Sequence, residues 1–495
     1  MTPREAALES RILQLESMVN SLSGQVQTIS TAPARSAGVG TPTGTVPTTT
    51  GDIGNAATTA TPSGPGGPSA PGQSFPPNPP PIKRFDSPAT LARIPANVLF
   101  GPGFEIRTND EEFFLQFHNL TQVEYRGYQQ GGQTPVHDSF NIPRQWFMFS
   151  GRITRPVGYF VSLAHGQESV SALDYFVDLS YDPRLQFRMG RMKTPFTYEF
   201  FVEPIQGLIT AERSLFFNNF GQNRDVGAMA FGRFRGGLLD YAAGIYNGSR
   251  NGFVSNQDAK FVSAFINSRP FKDSEGSILE NFNIGGSVFA GNAYNAPLAP
   301  QTLRTSVATA GNPVLGVPFL TFNNNIRETG NQAFWDLHTA WFYNQLAVVA
   351  EWQSGAQDYV QAGNPSARTR VGVESYYVQF GYLLTGETRS STGIVKPLHP
   401  FDLRAGQRGP GAWEPTFRFN QMDIGNKIFS SGLADPNTGA NRLYMTDIGF
   451  NWHLTQYMKV YFDWQHAEFN QPVVFAPGRR QLNSDMFMLR FQLFF

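Results

Sequence analysis

The chain has 495 residues, 14% of them aromatic and only 15% charged, with no cysteine and 38 basic residues against 38 acidic ones. A net charge of zero gives no footing to nucleic-acid binding, and the lack of cysteine excludes disulfides, thiol catalysis and cysteine-ligated zinc. No run of about 18 apolar residues occurs, which excludes a transmembrane helix; a mean hydropathy of −0.29 beside so many aromatics fits a transmembrane barrel, whose alternate strand residues face lipid and water.

The opening MTPREAALES carries no basic and apolar leader, so either a signal peptide has been removed or the start lies upstream. Leu8, Leu15, Leu22 and Ile29 then recur every seven residues, with Ile12, Val19 and Val26 between them. All seven seam positions are apolar, while Arg4, Glu5, Glu9, Arg11 and Glu16 lie off the seam. This narrow line predicts a coiled-coil stalk over residues 1–30, since a helix packed on a globular surface shows a wider apolar stripe. Over residues 31–81 Pro, Thr, Ser, Gly and Ala dominate, and Arg35 and Asp52 are the only charges. Such a segment cannot offset its ordering entropy by burial, and predicts a disordered linker reaching on the order of 40 Å as a flexible coil.

Residues 82–495 read as an all-β transmembrane barrel. Leu115, Phe117, Val123 and Tyr125 oppose Gln116, His118, Gln122, Glu124 and Arg126; Trp335, Leu337, Trp341 and Tyr343 oppose Asp336 and His338. Period two with one wet face is the barrel pattern. At the end of the chain Phe487, Leu489, Phe491, Leu493 and Phe495 share one face, opposite Met488, Arg490 and Gln492. A last strand alternating this way and stopping on phenylalanine has the form of an outer-membrane assembly signal, carried by Phe491 and Phe495. It implies the barrel assembly machinery and outer-membrane lipids as partners. Sixteen such runs can be counted between Leu115 and Phe495, and an even count returns both ends to the periplasm. The joins TRPVG, YDPR, RFRGG, YNQ and HLTQ are short enough for periplasmic turns, and the joins after strands 1, 5, 9, 11, 13 and 15 are longer, as external loops should be. The join Glu387–Pro410 after strand 12 is long yet falls on the periplasmic side. Two compensating miscounts or a real periplasmic insertion would each explain it.

Several blocks resemble the phosphate-selective porins O and P, a family of trimeric outer-membrane barrels. They include MGRMKTPFTYEF (189–200), RDVGAMAFG (224–232), SYYVQFGYLLTGETR (375–389), GAWEPTFRFNQMDI (411–424) and TDIGFNWHL (446–454), and the resemblance spans roughly residues 100–495. It implies a sixteen-stranded homotrimeric porin passing small ions and hydrophilic solutes across the outer membrane of a diderm bacterium, with neither cofactor nor metal. Barrels of this kind with an N-terminal coiled coil resemble porins of envelopes that tether the outer membrane to the cell wall. Peptidoglycan or another envelope protein is therefore the expected periplasmic partner of residues 1–30.

The resemblance also makes the join from Lys193 to Arg224 the loop that folds inward as a pore constriction. There Lys193, Arg213 and Arg224 stand beside Glu199, Glu203 and Glu212. Opposed acids and bases set a transverse field, whereas a phosphate trap needs uncompensated positive charge. Setting aside Arg4, Arg11 and Arg35 and also Glu5, Glu9, Glu16 and Asp52 leaves the barrel 35 basic and 34 acidic residues. The lumen-wall candidates are Arg126, Arg152, Arg188, Lys260, Arg418 and Arg490, with Glu124, Asp174, Asp178, Asp240, Asp336, Glu351 and Asp463. Each is read either as a group facing the permeant or as half of a wall-bracing ion pair. Weak selectivity is the expectation; a phosphate- or anion-selective channel and a mainly structural envelope tether are the alternatives. The seven histidines are scattered and no nucleophile-elbow motif occurs, so no enzyme is expected. His118 and His338 lack the local spacing of a metal site.

Overall fold

The alternating runs become sixteen antiparallel strands that close on themselves. They are Phe114–Tyr128 (β1), Ser139–Thr154 (β2), Val157–Gly166 (β3), Ser169–Asp182 (β4), Leu185–Lys193 (β5), Arg224–Phe234 (β6), Leu239–Tyr246 (β7), Phe261–Ser268 (β8), Asn281–Asn292 (β9), Ile326–Tyr343 (β10), Leu346–Gln361 (β11), Asn364–Tyr382 (β12), Ala412–Ile424 (β13), Arg442–His453 (β14), Met458–Ala476 (β15) and Arg479–Phe494 (β16). The computed structural model describes residues 95–495 apart from 102, 130–135, 167–168, 249–252, 254–257, 294–297, 307–315, 363, 405, 407 and 477. The heptad seam from Leu8 to Ile29 and the linker of residues 31–81 lie outside the described residues.

Period two decides which side chains face out. On β16, Phe487, Leu489 and Phe491 are 43%, 52% and 41% exposed, while Met488, Arg490 and Gln492 between them are buried. The ring closes where β16 pairs with β1, Arg490 opposite Glu124 and Phe494 opposite Leu120, so the ring itself has no free edge. Short turns join the strands at one end; Asn344, at φ 50°, supplies the left-handed residue between β10 and β11. Gly190, at φ +132°, lets β5 approach β4 where a Cβ would lie 2.0 Å from the Tyr175 carbonyl oxygen.

The sixteen expected runs each fall on one strand, so the long join after β12 is a real insertion and not a miscount. Residues 383–411 lie at the short-turn end, where Arg389 N donates to Asn344 O (2.8 Å) and Phe401 N to Leu454 O (2.7 Å). A hairpin ahead of the barrel, Ala96–Gly101 with Gly103–Thr108, had no counterpart in the pattern. Its second strand pairs with β1 over Phe114–Phe117, past the point where β16 stops.

The interior departs from a uniformly wet lumen. Three segments turn inward from the long-loop end. They are residues 194–223, the described residues of the join from β9 to β10 with its two-stranded piece Leu303–Arg304 and Pro318–Leu320, and the join from β13 to β14 with the helical turn Lys427–Ser430. Phe216, Phe319 and Ile428 from these segments pack against inward-facing Val373, Met422, Met445 and Met488 in one apolar cluster. The long-loop half of the interior beside β12–β16 is therefore dry, held by the same burial of apolar surface that builds a soluble core.

Candidate functional site: the constriction inside the barrel

Pro195, which cannot donate to a ladder, and Thr197, at φ 61°, take the chain off β5 and into the barrel. Two short helices follow, Tyr198–Phe201 and Leu215–Phe220, the second capped by the Ser214 hydroxyl, which accepts from Phe217 N. Between them the segment is stitched to the wall. Tyr198 N and Glu199 N donate to the Glu351 carboxylate at 2.9 and 2.7 Å, which also accepts from the Tyr377 hydroxyl at 2.6 Å. Lys459 donates to Leu208 O, Asn451 to Ile209 O and Arg418 to Glu212 O, at 2.8, 2.8 and 2.6 Å.

Glu212 is the strongest of these anchors. Its carboxylate meets Arg144 at 2.7 Å, Arg126 at 3.2 Å and Arg490, while Glu124 pairs with Arg126 at 2.6 Å and with Arg490. All five side chains are nearly inaccessible to water. Three guanidiniums and two carboxylates so enclosed hold one another by charge-assisted, partly bidentate hydrogen bonds. Arg144 is the member that the alternation missed. The register shifts between Gln122 and Glu124 across from it, and a bulge hides which face a residue takes.

The loop's bases gather elsewhere. Lys193 Nζ, Arg213 Cζ and Arg224 Cζ lie 5.1, 5.4 and 5.7 Å from the Phe200 ring centroid. Lys193 donates to Phe200 O at 2.8 Å, Arg224 bridges both Asp174 oxygens at 3.0 Å and Arg213 donates to Glu203 O at 3.2 Å. Each cation over an aromatic face contributes roughly 0.5–2 kcal/mol. On this side Lys193, Phe217, Asn218 and Asn223 of the loop and Trp146 of the wall keep partial exposure. The acids are engaged as well: Glu212 in the arginine cluster, and Glu199 accepting from Ser214 N at 2.9 Å and from its hydroxyl. Glu203 is 1% exposed and neither of its carboxylate oxygens has a hydrogen-bond partner. Of the acids expected beside the bases, Glu212 is drawn into the arginine cluster, while Glu203 stays next to Arg213, which donates to its carbonyl oxygen.

The wall candidates divide in the same way. Arg418 and Asp447 form a dry pair at 2.9 Å, and Asp336 meets His338 at 3.2 Å. Asp463 is buried on β15. Toward the short-turn end, Arg188 pairs with Asp178 at 2.7 Å with both partly exposed; Asp240 pairs with Arg233 at 2.7 Å and Arg152 donates to Glu111 O at 3.1 Å. Lys260 is not a wall residue: it lies exposed in the join before β8. His118 stacks on Phe494 and His338 on Phe265, and among the described residues no three histidine or carboxylate groups are set to hold a metal. Phe491 faces outward, and Phe495 exchanges both backbone hydrogen bonds with Asn119 (3.1 and 2.8 Å).

The insertion of residues 383–411 meets this site from the short-turn end. Arg389 pairs with Glu414 at 2.9 Å, both buried, and Glu414 also takes His453 at 3.0 Å. Gly393 lies so near the inward segment that a Cβ on Gly207 would sit 2.6 Å from its Cα. The interior is thus narrowed from both ends, and the partly exposed residues beside the segment include Lys193 of β5 and Trp146 of β2.

Residues 318–493 match the family described as phosphate-selective porin O and P. The chain is 22% identical to Porin O of Pseudomonas aeruginosa over 247 residues, covering 41% of this chain and 51% of that protein, so the match spans about half of that relative's length. In fold it is similar to OmpF of Salmonella typhi in complex with daunomycin, at 11% identity and a TM-score of 0.47 over 81% of this chain and all of that one. It is also similar to the outer membrane channel DcaP of Acinetobacter baumannii, at 10% identity and a TM-score of 0.46 over 79% of this chain and 99% of that one.

Proposed function

We propose, from the premise that this chain is of the phosphate-selective porin O and P family, as supported over residues 318–493, that it is an outer-membrane channel for passive diffusion of small ions and hydrophilic solutes. The observation that carries the reading is a closed ring of sixteen strands, apolar outside, bridged within by a segment that leaves polar surface on one side. A channel, not an enzyme, is the function this favours. Purified full-length chain added to a planar bilayer is expected to give stepwise conductance. A folded, heat-modifiable barrel that shows no steps at any voltage would overturn the reading.

Within this proposal, the convergence of Lys193, Arg213 and Arg224 on Phe200 favours anions as the preferred permeants. Near a wet wall with an effective dielectric of about 20, one charge at 4 Å contributes up to roughly 4 kcal/mol. Lys193 keeps partial exposure there while Glu199 and Glu212 are engaged elsewhere, and this local positive charge stands against the even balance of the barrel as a whole.

The remaining parts of the proposal rest on the sequence. The barrel works as a homotrimer, inserted by the assembly machinery through its last strand, with residues 31–81 a spacer and residues 1–30 a periplasmic coiled coil bound to peptidoglycan or another envelope protein. Leu15 and Leu22 are central seam positions, and so short a coiled coil can scarcely spare two core contacts. Replacing both with serine is expected to weaken co-sedimentation with purified cell wall and leave conductance unchanged. Undiminished co-sedimentation would remove the tether from the proposal.

A further inference from the structure

A wet lumen calls for polar groups on the inward faces of the strands, yet toward the short-turn end three strands put phenylalanine there. Phe160 of β3 lies opposite Phe176 of β4, the two rings stacked with centroids 5.4 Å apart. Phe231 is inward on β6, two residues past the buried Met229. All three keep partial exposure. From the inward segment, Phe201 packs on the same cluster as Phe176 and Phe231, and its neighbour Val202 is 40% exposed. Apolar surface gathered in this way marks a place where something apolar is met.

Arg188 of β5 stands among the rings. Its Cζ lies 3.7 Å from the Phe176 centroid and 5.1 Å from that of Phe231. Nε and Nη2 donate to the two oxygens of Asp178 at 2.7 and 2.9 Å. Neither bond uses Nη1, and the side chain is 21% exposed. On the neighbouring strands Asp240 holds Arg233 at 2.7 Å and Arg269 at 3.3 Å. Three guanidiniums thus stand to two carboxylates along this end of β4–β8, an excess that suits an anion.

We infer, on the reading of the chain as a channel, that this wall is a subsite for organic anions with a flat apolar body, aromatic carboxylates as a class. The solute's ring lies against Phe160 and Phe231, removing phenyl surface from water and stacking as aromatic pairs do. Its carboxylate accepts a charge-assisted hydrogen bond from Arg188 Nη1. A small inorganic anion meets only the guanidinium, and an uncharged ring meets only the phenylalanines. A solute carrying both groups is the one that the wall retains.

The test uses the full-length protein in a planar bilayer, with chloride current recorded as benzoate, acetate or benzamide is added. Benzoate is expected to reduce the current at concentrations where acetate, the charge without the ring, and benzamide, the ring without the charge, do not. Phe160→Leu combined with Phe231→Leu keeps apolar bulk and removes the rings. It is expected to raise the half-blocking concentration of benzoate roughly five- to tenfold. Asp178→Asn combined with Arg188→Gln removes the ion pair as a unit and is expected to leave benzoate no stronger than benzamide. Heat-modifiability in gels shows that each variant is a folded barrel. Chloride steps on which benzoate acts no more strongly than acetate, or a benzoate block that both double variants leave untouched, would overturn the subsite and leave the channel standing. A lack of steps at any voltage would overturn the channel, and the subsite with it.

Discussion

Replacing Glu212 with glutamine is expected to loosen the inward segment and raise single-channel conductance. Its carboxylate is shared by Arg126, Arg144 and Arg490 in a nearly water-free cluster. Neutralising it leaves three guanidiniums facing Glu124 alone. Removing one member of a buried charge group in this way costs roughly 3–5 kcal/mol, because the partners stay buried and unpaired. The segment would yield before the wall does, since Arg126 and Arg490 stand on strands held by a continuous ladder while residues 194–223 are held by side-chain bonds. Larger and noisier steps in a bilayer, with the protein still heat-modifiable, are the expected result. Unchanged steps together with unchanged protease resistance of the segment would show that the bonds from Arg418, Asn451 and Lys459 suffice without it.

Neutralising Lys193, Arg213 and Arg224 together is expected to move the reversal potential under a salt gradient strongly toward cations. All three approach one ring, Phe200, and Lys193 among them keeps partial exposure. A change of only about 1.4 kcal/mol in the barrier already alters a permeability ratio tenfold, which is within the roughly 4 kcal/mol that one charge at 4 Å can contribute. The contrasting variant, Glu203→Gln, changes a carboxylate that is 1% exposed and is expected to shift the potential little. Should Glu203→Gln move it as far as the triple variant does, the path would lie on the acidic side and the anion reading would fall.

The strands were legible because lipid outside and polar groups inside impose period two on every spanning run, and short turns separate the runs. The hairpin Ala96–Gly101 with Gly103–Thr108 was not, since six residues broken by glycine carry too little alternation. The helices Tyr198–Phe201 and Leu215–Phe220 are too short for a 3.6-residue period to show. Charge placement was legible only as membership. Alternation identifies Arg126, Glu124, Arg418 and Arg490 as inward, but it cannot tell a wet wall from a packed interior. A signal for the packed half did exist: Val373, Met422, Met445 and Met488 put apolar groups on faces that otherwise carry polar ones. The engagement of Glu199 with Ser214 and of Glu212 with the arginine cluster depends on how the segment folds back, which no spacing encodes.

The seam between β1 and β16 bears on how this chain folds as well as on its final form. Glu124 and Arg490 stand 366 positions apart, and Phe495 bonds to Asn119. Contacts so remote in sequence carry the greatest loop-closure entropy and form slowly. Until they form, the first and last strands are open edges with unsatisfied backbone groups, ready to pair with the edges of other unfinished chains. The Glu124–Arg490 pair and the terminal phenylalanine therefore mark the point where one molecule's closure competes with aggregation between molecules.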